Sequence, residues 1–467
     1  MNKKQILQNI SVAFLAQGVG MLLSIIQSLI VPVLLGVREF GYWQLYLFYV
    51  SYVGFFHFGL SSGVYLVLGG LSRDEMDKDA VKSQFIFGVI YQSIIAVVVC
   101  ILSQLLPFEE ERSFVIFNTG IYLVLQNAAT YMMNTLQCMN ETKKSSVSKI
   151  IERVSFFVPL VVLMFRRAAS FKPFVLAYSF STIIQLFYLG WNLRDFIAEK
   201  WLGLLKAALL SIQSIKIGIN LMLANIASML ILGIARYCID SSWGIETFGQ
   251  LSLALSLVSF FLSFVSQASM VLFPALRQSG NAEVTAFFSD ARDALSLIFP
   301  VVYCLYFPMV WLLSKWLPNY LEGLDYLVLL LPICVFDSKM SVVGNTYFNV
   351  LRKERAMLLL NIAAAALSFA FSFAGVYIAS SVTVVICGMT ATIILRSIIA
   401  ESYISKQLNA SHSSISITEI LITVSFVILT KLFPSLIAAP LFVGVYATYL
   451  FAYRERLGIL YRKLRSR

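Results

Sequence analysis

Gly36-Val37-Arg38-Glu39-Phe40-Gly41 closes an apolar stretch that begins at Ile10, and Gly244-Ile245-Glu246-Thr247-Phe248-Gly249 repeats its pattern 208 residues later. Both fit G-[VI]-x-x-F-G, and each lies between two long apolar runs. A hydrocarbon core about 30 Å thick needs roughly 20 apolar residues per crossing helix. The run from Ile10 to Leu35 exceeds that. It also exceeds the roughly 7–15 residues of a signal-peptide core, so Lys3 and Lys4 are expected to precede a retained first helix.

Similar runs recur as far as Tyr453. Of the 467 residues 59% are hydrophobic and only 13% charged, too few charges to cover a soluble surface. A transmembrane β-barrel would alternate apolar and polar residues over about 10 positions. These runs do not alternate, and in lipid the remaining way to pair every backbone group is the helix. The sequence therefore predicts an all-α polytopic membrane protein. The six cysteines stand singly, with no CxxC pair, and read as small apolar packing residues.

We read fourteen spans. The first six cover roughly 10–36, 42–68, 84–106, 113–139, 149–165 and 173–193. The other eight cover roughly 217–238, 247–274, 294–316, 324–350, 357–379, 381–405, 416–431 and 435–453. Twelve or thirteen spans are the alternative if the short span near 416–431 or the division near Ala379 is dropped. With a cytoplasmic N-terminus, 26 of the 35 Lys and Arg residues fall inside, 8 fall outside and Lys339 lies within a span. Positive charge collects on the cytoplasmic side of membrane proteins, so both termini are expected there. Such short basic loops meet anionic lipid head groups, not nucleic acid. Arg166, Arg167 and Lys172 run against the rule. They either bind an anion at the outer mouth or show that the fifth span is misplaced.

The matched hexapeptides are six spans apart. Asn134-Thr135 and Asn345-Thr346 echo each other at an offset of 211. An even number of spans keeps both halves in the same sense, as in a parallel repeat about the membrane normal. The expected organisation is an N-terminal six-helix lobe (1–200), an interfacial linker (201–216) and a C-terminal six-helix lobe (217–407). Two additional helices (408–453) follow as an appendage, then a basic cytoplasmic tail (454–467). Two such lobes would enclose a central cavity, which is transporter architecture.

Ionisable groups inside lipid are functional candidates by default. Lys339 and Asp337 lie in the tenth span. Two positions apart is about 200° around a helix, so they face different sides and pair poorly with each other. One would line the cavity and the other reach a neighbouring helix. Pro332 is expected to bend that span. Arg236 lies near the outer end of the seventh span, before Asp240, as a cavity cation or a snorkelling side chain. His57 sits among aromatics in the second span, with Ser61 one turn on. The other histidine, His412, is in a loop, which argues against a histidine metal site. Gly59 and Gly63 form a GxxxG that permits close helix contact. No Walker A loop, HExxH, GxSxG or carboxylate cluster appears, so neither ATPase nor hydrolase chemistry is expected.

Gln27 through Gly36 into Phe40-Gly41-Tyr42-Trp43-Gln44-Leu45-Tyr46, and His57-Phe58-Gly59 through Gly69-Gly70, resemble the opening of the polysaccharide or oligosaccharide flippases. Phe248-Gly249 to Phe273-Pro274-Ala275-Leu276-Arg277, and Asp337-Ser338-Lys339 to Arg352-Lys353-Glu354, carry the likeness into the second half. The resemblance implies the multidrug/oligosaccharidyl-lipid/polysaccharide exporter fold in the bacterial cytoplasmic membrane. It implies alternating access for a polyprenyl-pyrophosphate-linked oligosaccharide: an O-antigen or lipopolysaccharide, capsule or exopolysaccharide repeat unit on undecaprenyl pyrophosphate. The expected partners are this substrate, membrane lipids and a polysaccharide polymerase. No cofactor is expected, with proton or sodium coupling left open. Lys339 and Arg236 would hold the pyrophosphate. Tyr46, Tyr49 and Tyr347 would stack on sugars or serve as packing aromatics. Two other readings compete. One is a cation-coupled multidrug or metabolite antiporter of the same superfamily. The other is a polysaccharide polymerase, which the lack of a long outer loop disfavours.

Overall fold

Only helices and turns occur among the residues described by this computed structural model, 3–277, 281–410 and 414–465. That follows from the solvent, since lipid offers no hydrogen bonds to a bare strand edge. Ten helical stretches of the described residues are long and apolar enough to cross a membrane. Each of the fourteen expected segments is mainly helical, but two of the expected loops are not loops. Helix α1 (Lys3–Tyr52) runs from the first span into the second, interrupted only at Gly36 (φ 67°, ψ 174°). Helix α8 (Leu204–Arg277) joins the seventh and eighth in the same way at Gly244 (φ 83°, ψ −177°). Only glycine adopts that backbone region without a cost of about 1–3 kcal/mol. The repeated hexapeptide is thus a repeated kink. Residues 204–216, read as part of a linker, are the first turns of α8. The fourth and fifth segments fall short of the apolarity of a crossing helix, diluted by Asn118, Gln126, Asn127, Lys149, Glu152 and Arg153.

The chain forms two compact units, Met1–Ile226 and Ala227–Arg467, with the division inside α8. In the first unit α1 is followed by a 3₁₀ turn (Val53–His57) and α2 (Leu60–Leu68). The second span is therefore broken, where an unbroken helix over 42–68 was expected. Then come α3 (Lys78–Leu105), α4 (Glu110–Cys138), α5 (Thr142–Phe165), α6 (Lys172–Asn192) and the single turn α7 (Arg194–Ile197). The Asp77 side chain caps α3 by accepting the Ala80 N–H at 3.0 Å. The first turns of α8 pass so close to α2 that a Cβ on Gly63 would lie 1.8 Å from the Ser214 carbonyl oxygen. One on Gly218 would lie 2.1 Å from that of Gly59. The GxxxG is used for close approach, as the spacing suggested.

Arg73 ties three connections of this unit together. Its guanidinium donates to Asp195 (2.9 Å), to Glu141 (3.1 Å) and to the Asn192 carbonyl (2.9 Å). Burial works against the Asp195 carboxylate. The Lys78 hydrogen bond at 2.9 Å and the Arg73 charge outweigh it and hold the group below the usual range.

The second unit adds α9 (Asn281–Ile298), α10 (Val301–Trp316), α11 (Leu321–Lys339) and α12 (Thr346–Val350). The helices α13 (Glu354–Tyr377), α14 (Val382–Gln407), α15 (Ser414–Leu432), α16 (Ser435–Ala452) and α17 (Arg454–Arg465) complete it. The expected ninth span is split before Pro300, which has no N–H to continue α9. Pro332 lies inside an unbroken α11. A π-helical stretch, Met340–Asn345, then joins α11 to α12. The division near Ala379 is real, since α13 ends at Tyr377 and α14 starts at Val382. Helices α15 and α16, expected as an appendage, pack into the core of this unit. Phe426 stacks on Tyr303 with ring centres 4.6 Å apart, and Phe442 is fully buried beside them.

Candidate functional site

Helix α11 carries the ionisable pair because its long apolar run buries nearly every residue from Gly323 to Lys339. Asp337 and Lys339 leave it on different sides, as their spacing requires. Asp337 is ion-paired with Arg396 of α14. The same guanidinium reaches Ser228 Oγ of α8 at 3.1 Å and Asn361 Oδ1 of α13 at 3.5 Å. Four helices therefore meet at one arginine.

Lys339 is buried, and its Nζ lies 2.6 Å from Glu401 Oε2 and 2.7 Å from Glu419 Oε2. Ser296 Oγ donates to Glu419 Oε2 at 2.9 Å, and Ser416 Oγ donates to Glu401 Oε1 at 2.6 Å. Arg292 stands 3.8 Å from Glu401 and 3.0 Å from Asp293. Arg456 of α17 bonds Asp293 at 2.8 Å and Asp290 at 3.0 Å, and Lys463 reaches Asp290 at 2.6 Å. A ladder of alternating charge thus runs from the basic tail to the interior. The tail spends Arg456 and Lys463 on the protein, where lipid head groups were expected to take them. Removing one member of a buried pair typically costs about 3–5 kcal/mol, because the partner keeps its charge without its counter-charge.

Within the second unit Asp337, Lys339 and Arg236 have separate partners. Lys339 is matched by two carboxylates and Asp337 by Arg396. Arg236 is half-buried, donates to Ser252 Oγ at 3.0 Å and lies over the Phe248 ring at 5.1 Å, one turn beyond the Gly244 kink. His57 builds the break in the second span. Its Nδ1 accepts the Gly59 N–H at 2.9 Å, and its carbonyl accepts the Tyr91 hydroxyl at 3.0 Å. Asn127 Nδ2 donates to the Val53 carbonyl at 3.0 Å. The freed backbone groups are satisfied by α3 and α4, as broken helices in membranes require. Tyr46 and Tyr347 are fully buried and serve as packing residues. Tyr49 is half-buried. His412 lies outside the described residues.

Sequence reasoning missed Arg396, Glu401, Glu419 and Arg292. The signal was present, since Arg396 and Glu419 fall within spans read as apolar. One member of the dissenting cluster, Lys172, has a local partner. The fifth segment is where it was placed, and Lys172 Nζ sits 2.6 Å from Glu110 Oε1. The hydrogen bond from Lys172, with its charge, holds the Glu110 carboxylate below its usual range. Glu39 accepts the Phe171 N–H at 2.8 Å nearby.

Residues 6–279 match the sequence pattern of the polysaccharide biosynthesis protein family. The chain belongs to that family. Its fold is similar to that of the lipid II flippase MurJ in an inward closed conformation. The TM-score is 0.66 at 12% identity, covering 97% of this chain and 100% of that one. It is also similar to an inward-facing multidrug resistance MATE family transporter of the MOP superfamily. There the TM-score is 0.60 at 12% identity, covering 85% of this chain and 94% of that one. No curated protein sequence matches significantly. This family member is thus an all-helical polytopic membrane protein with the fold of MOP-superfamily transporters.

Proposed function

We propose that this family member flips a polyprenyl-pyrophosphate-linked oligosaccharide across the bacterial cytoplasmic membrane by alternating access, with both termini cytoplasmic. Its cargo would be an O-antigen, capsule or exopolysaccharide repeat unit. The observation that carries this reading is the extent of the fold likeness. The lipid II flippase is matched over 97% of this chain and the multidrug transporter over 85%. Membership of a polysaccharide biosynthesis family points the same way.

In this proposal Arg236, half-buried near the Gly244 kink, is the first candidate for the pyrophosphate, since guanidinium matches phosphate geometry. Lys339 reaches an anion only when a carboxylate releases it. Asp337 and His57 shape the framework. A cation-exporting multidrug antiporter would want an unpaired acid, and Asp337, Glu401 and Glu419 are all ion-paired. Deleting the gene in a polysaccharide-producing cell should abolish surface polysaccharide and accumulate the lipid-linked repeat unit in the inner leaflet. Arg236→Ala should insert normally and reduce export. Unchanged surface polysaccharide in the deletion strain, with raised drug sensitivity, would end the proposal.

A further inference from the structure

The two carboxylates around Lys339 are not equivalent. Both oxygens of Glu401 have partners: Oε2 takes Lys339, and Oε1 takes Ser416 with Arg292 nearby. Glu419 is fully buried within the apolar α15, yet both its donors, Lys339 and Ser296, converge on Oε2. Among the described residues its Oε1 has no hydrogen-bond partner. A buried carboxylate solvated on one oxygen only is costly in its charged form. A metal ion is a poor remedy, because the Lys339 ammonium already occupies the space between the two acids.

We propose that Glu419 is a proton-binding site of the second unit. A proton taken from water adds to Oε1 and gives the neutral acid. An O–H bond of hydronium breaks as the Oε1–H bond forms, and Lys339 then keeps Glu401 as its one counter-charge, with Glu419 Oε2 a neutral acceptor. Before uptake, Lys339, Arg292, Arg456 and Lys463 balance Glu401, Glu419, Asp293 and Asp290. Uptake leaves one positive charge in excess at Lys339. On the flippase reading, and resting on it, that charge becomes available to an anionic cargo. Every helix packed here contributes to the setting. Lys339 comes from α11, Glu401 from α14, and Arg292, Asp293 and Ser296 from α9. Tyr449 of α16 donates to the Ser296 carbonyl at 3.0 Å, and Tyr303 of α10 bonds Thr423 at 3.0 Å. Arg456 of α17 closes the far end.

The test is an infrared pH titration of the purified full-length protein in lipid nanodiscs, with no cargo present. Wild type should show the carbonyl stretch of one buried protonated carboxyl that Glu419→Gln lacks and the exposed-site control Asp325→Asn keeps. If Glu419→Gln does not fold, Ser296→Ala should shift the midpoint of that band. The band should be the same in sodium and potassium salts. An identical titration in wild type and Glu419→Gln, an unmoved midpoint in Ser296→Ala, or displacement of the band by sodium overturns the proposal. None of these outcomes depends on what the protein transports, so the flippase reading stands or falls separately.

Discussion

The two units begin alike and diverge in what they bury. Each opens with a long helix kinked at a glycine in the same backbone conformation, Gly36 in one and Gly244 in the other. In the first unit the interior is closed with rings and hydroxyls. Trp43 stacks on Phe156 at 5.9 Å, and Tyr46 bonds Ser179 at 3.0 Å. Among its described residues Glu152 is the only buried Asp, Glu, Lys or Arg side chain. The second unit buries Asp240, Arg292, Asp293, Lys339, Arg396 and Glu419. Neutral groups hold a fold with small, additive contributions. Buried ions hold it all-or-none, because each charge depends on partners from other helices. The two units thus differ in how much of their interior depends on charge.

The largest expected effect is at Lys339. Lys339→Met should cost about 3–5 kcal/mol by leaving Glu401 and Glu419 unpaired. Tyr46→Phe in the first unit should cost about 0.5–1.5 kcal/mol for one hydrogen bond. Denaturant unfolding in detergent compares the two, and equal losses would break the contrast. Next comes the close helix crossing of the first unit. Gly63→Ala should destabilise by about 1–3 kcal/mol through overpacking against Ser214. Gly444→Ala, in an open stretch of α16, should stabilise by roughly 0.5–1 kcal/mol. Opposite signs in thermal melts would sharpen the point. The repeat itself predicts matched losses: Gly36→Ala and Gly244→Ala, each with open space around it, should both cost about 1–3 kcal/mol in backbone strain. Very different melting shifts would argue against a shared kink.

The smallest effect is a pH dependence confined to the first unit. Asp195 is held below the normal carboxylate range, so its ion pairs stabilise the fold above about pH 4 and are lost as pH falls through the depressed value. The side chain is 30% exposed, and solvent screening limits the gain to about 1 kcal/mol or less. Hydrogen exchange in residues 193–203 should quicken on acidification in wild type. In Asp195→Asn it should be fast already and insensitive to pH.

The sequence by itself determined the solvent, the helical class, the approximate position of each segment and the repeated glycine hexapeptide, which it read as a loop and the structure makes a kink. Those properties are local: run length, residue size and backbone freedom are written residue by residue. It also placed Asp337 and Lys339 on opposite faces, because helix periodicity is fixed. It did not reveal that the second span is broken. That break depends on Tyr91 and Asn127 from α3 and α4 satisfying carbonyls that a lone segment would leave bare. Nor did it reveal that Glu419, 80 residues from Lys339, completes that lysine's shell, or that α15 is core and not appendage. Only the tertiary structure decides such matters, because a buried charge is tolerated according to which distant groups the fold brings within about 3 Å of it.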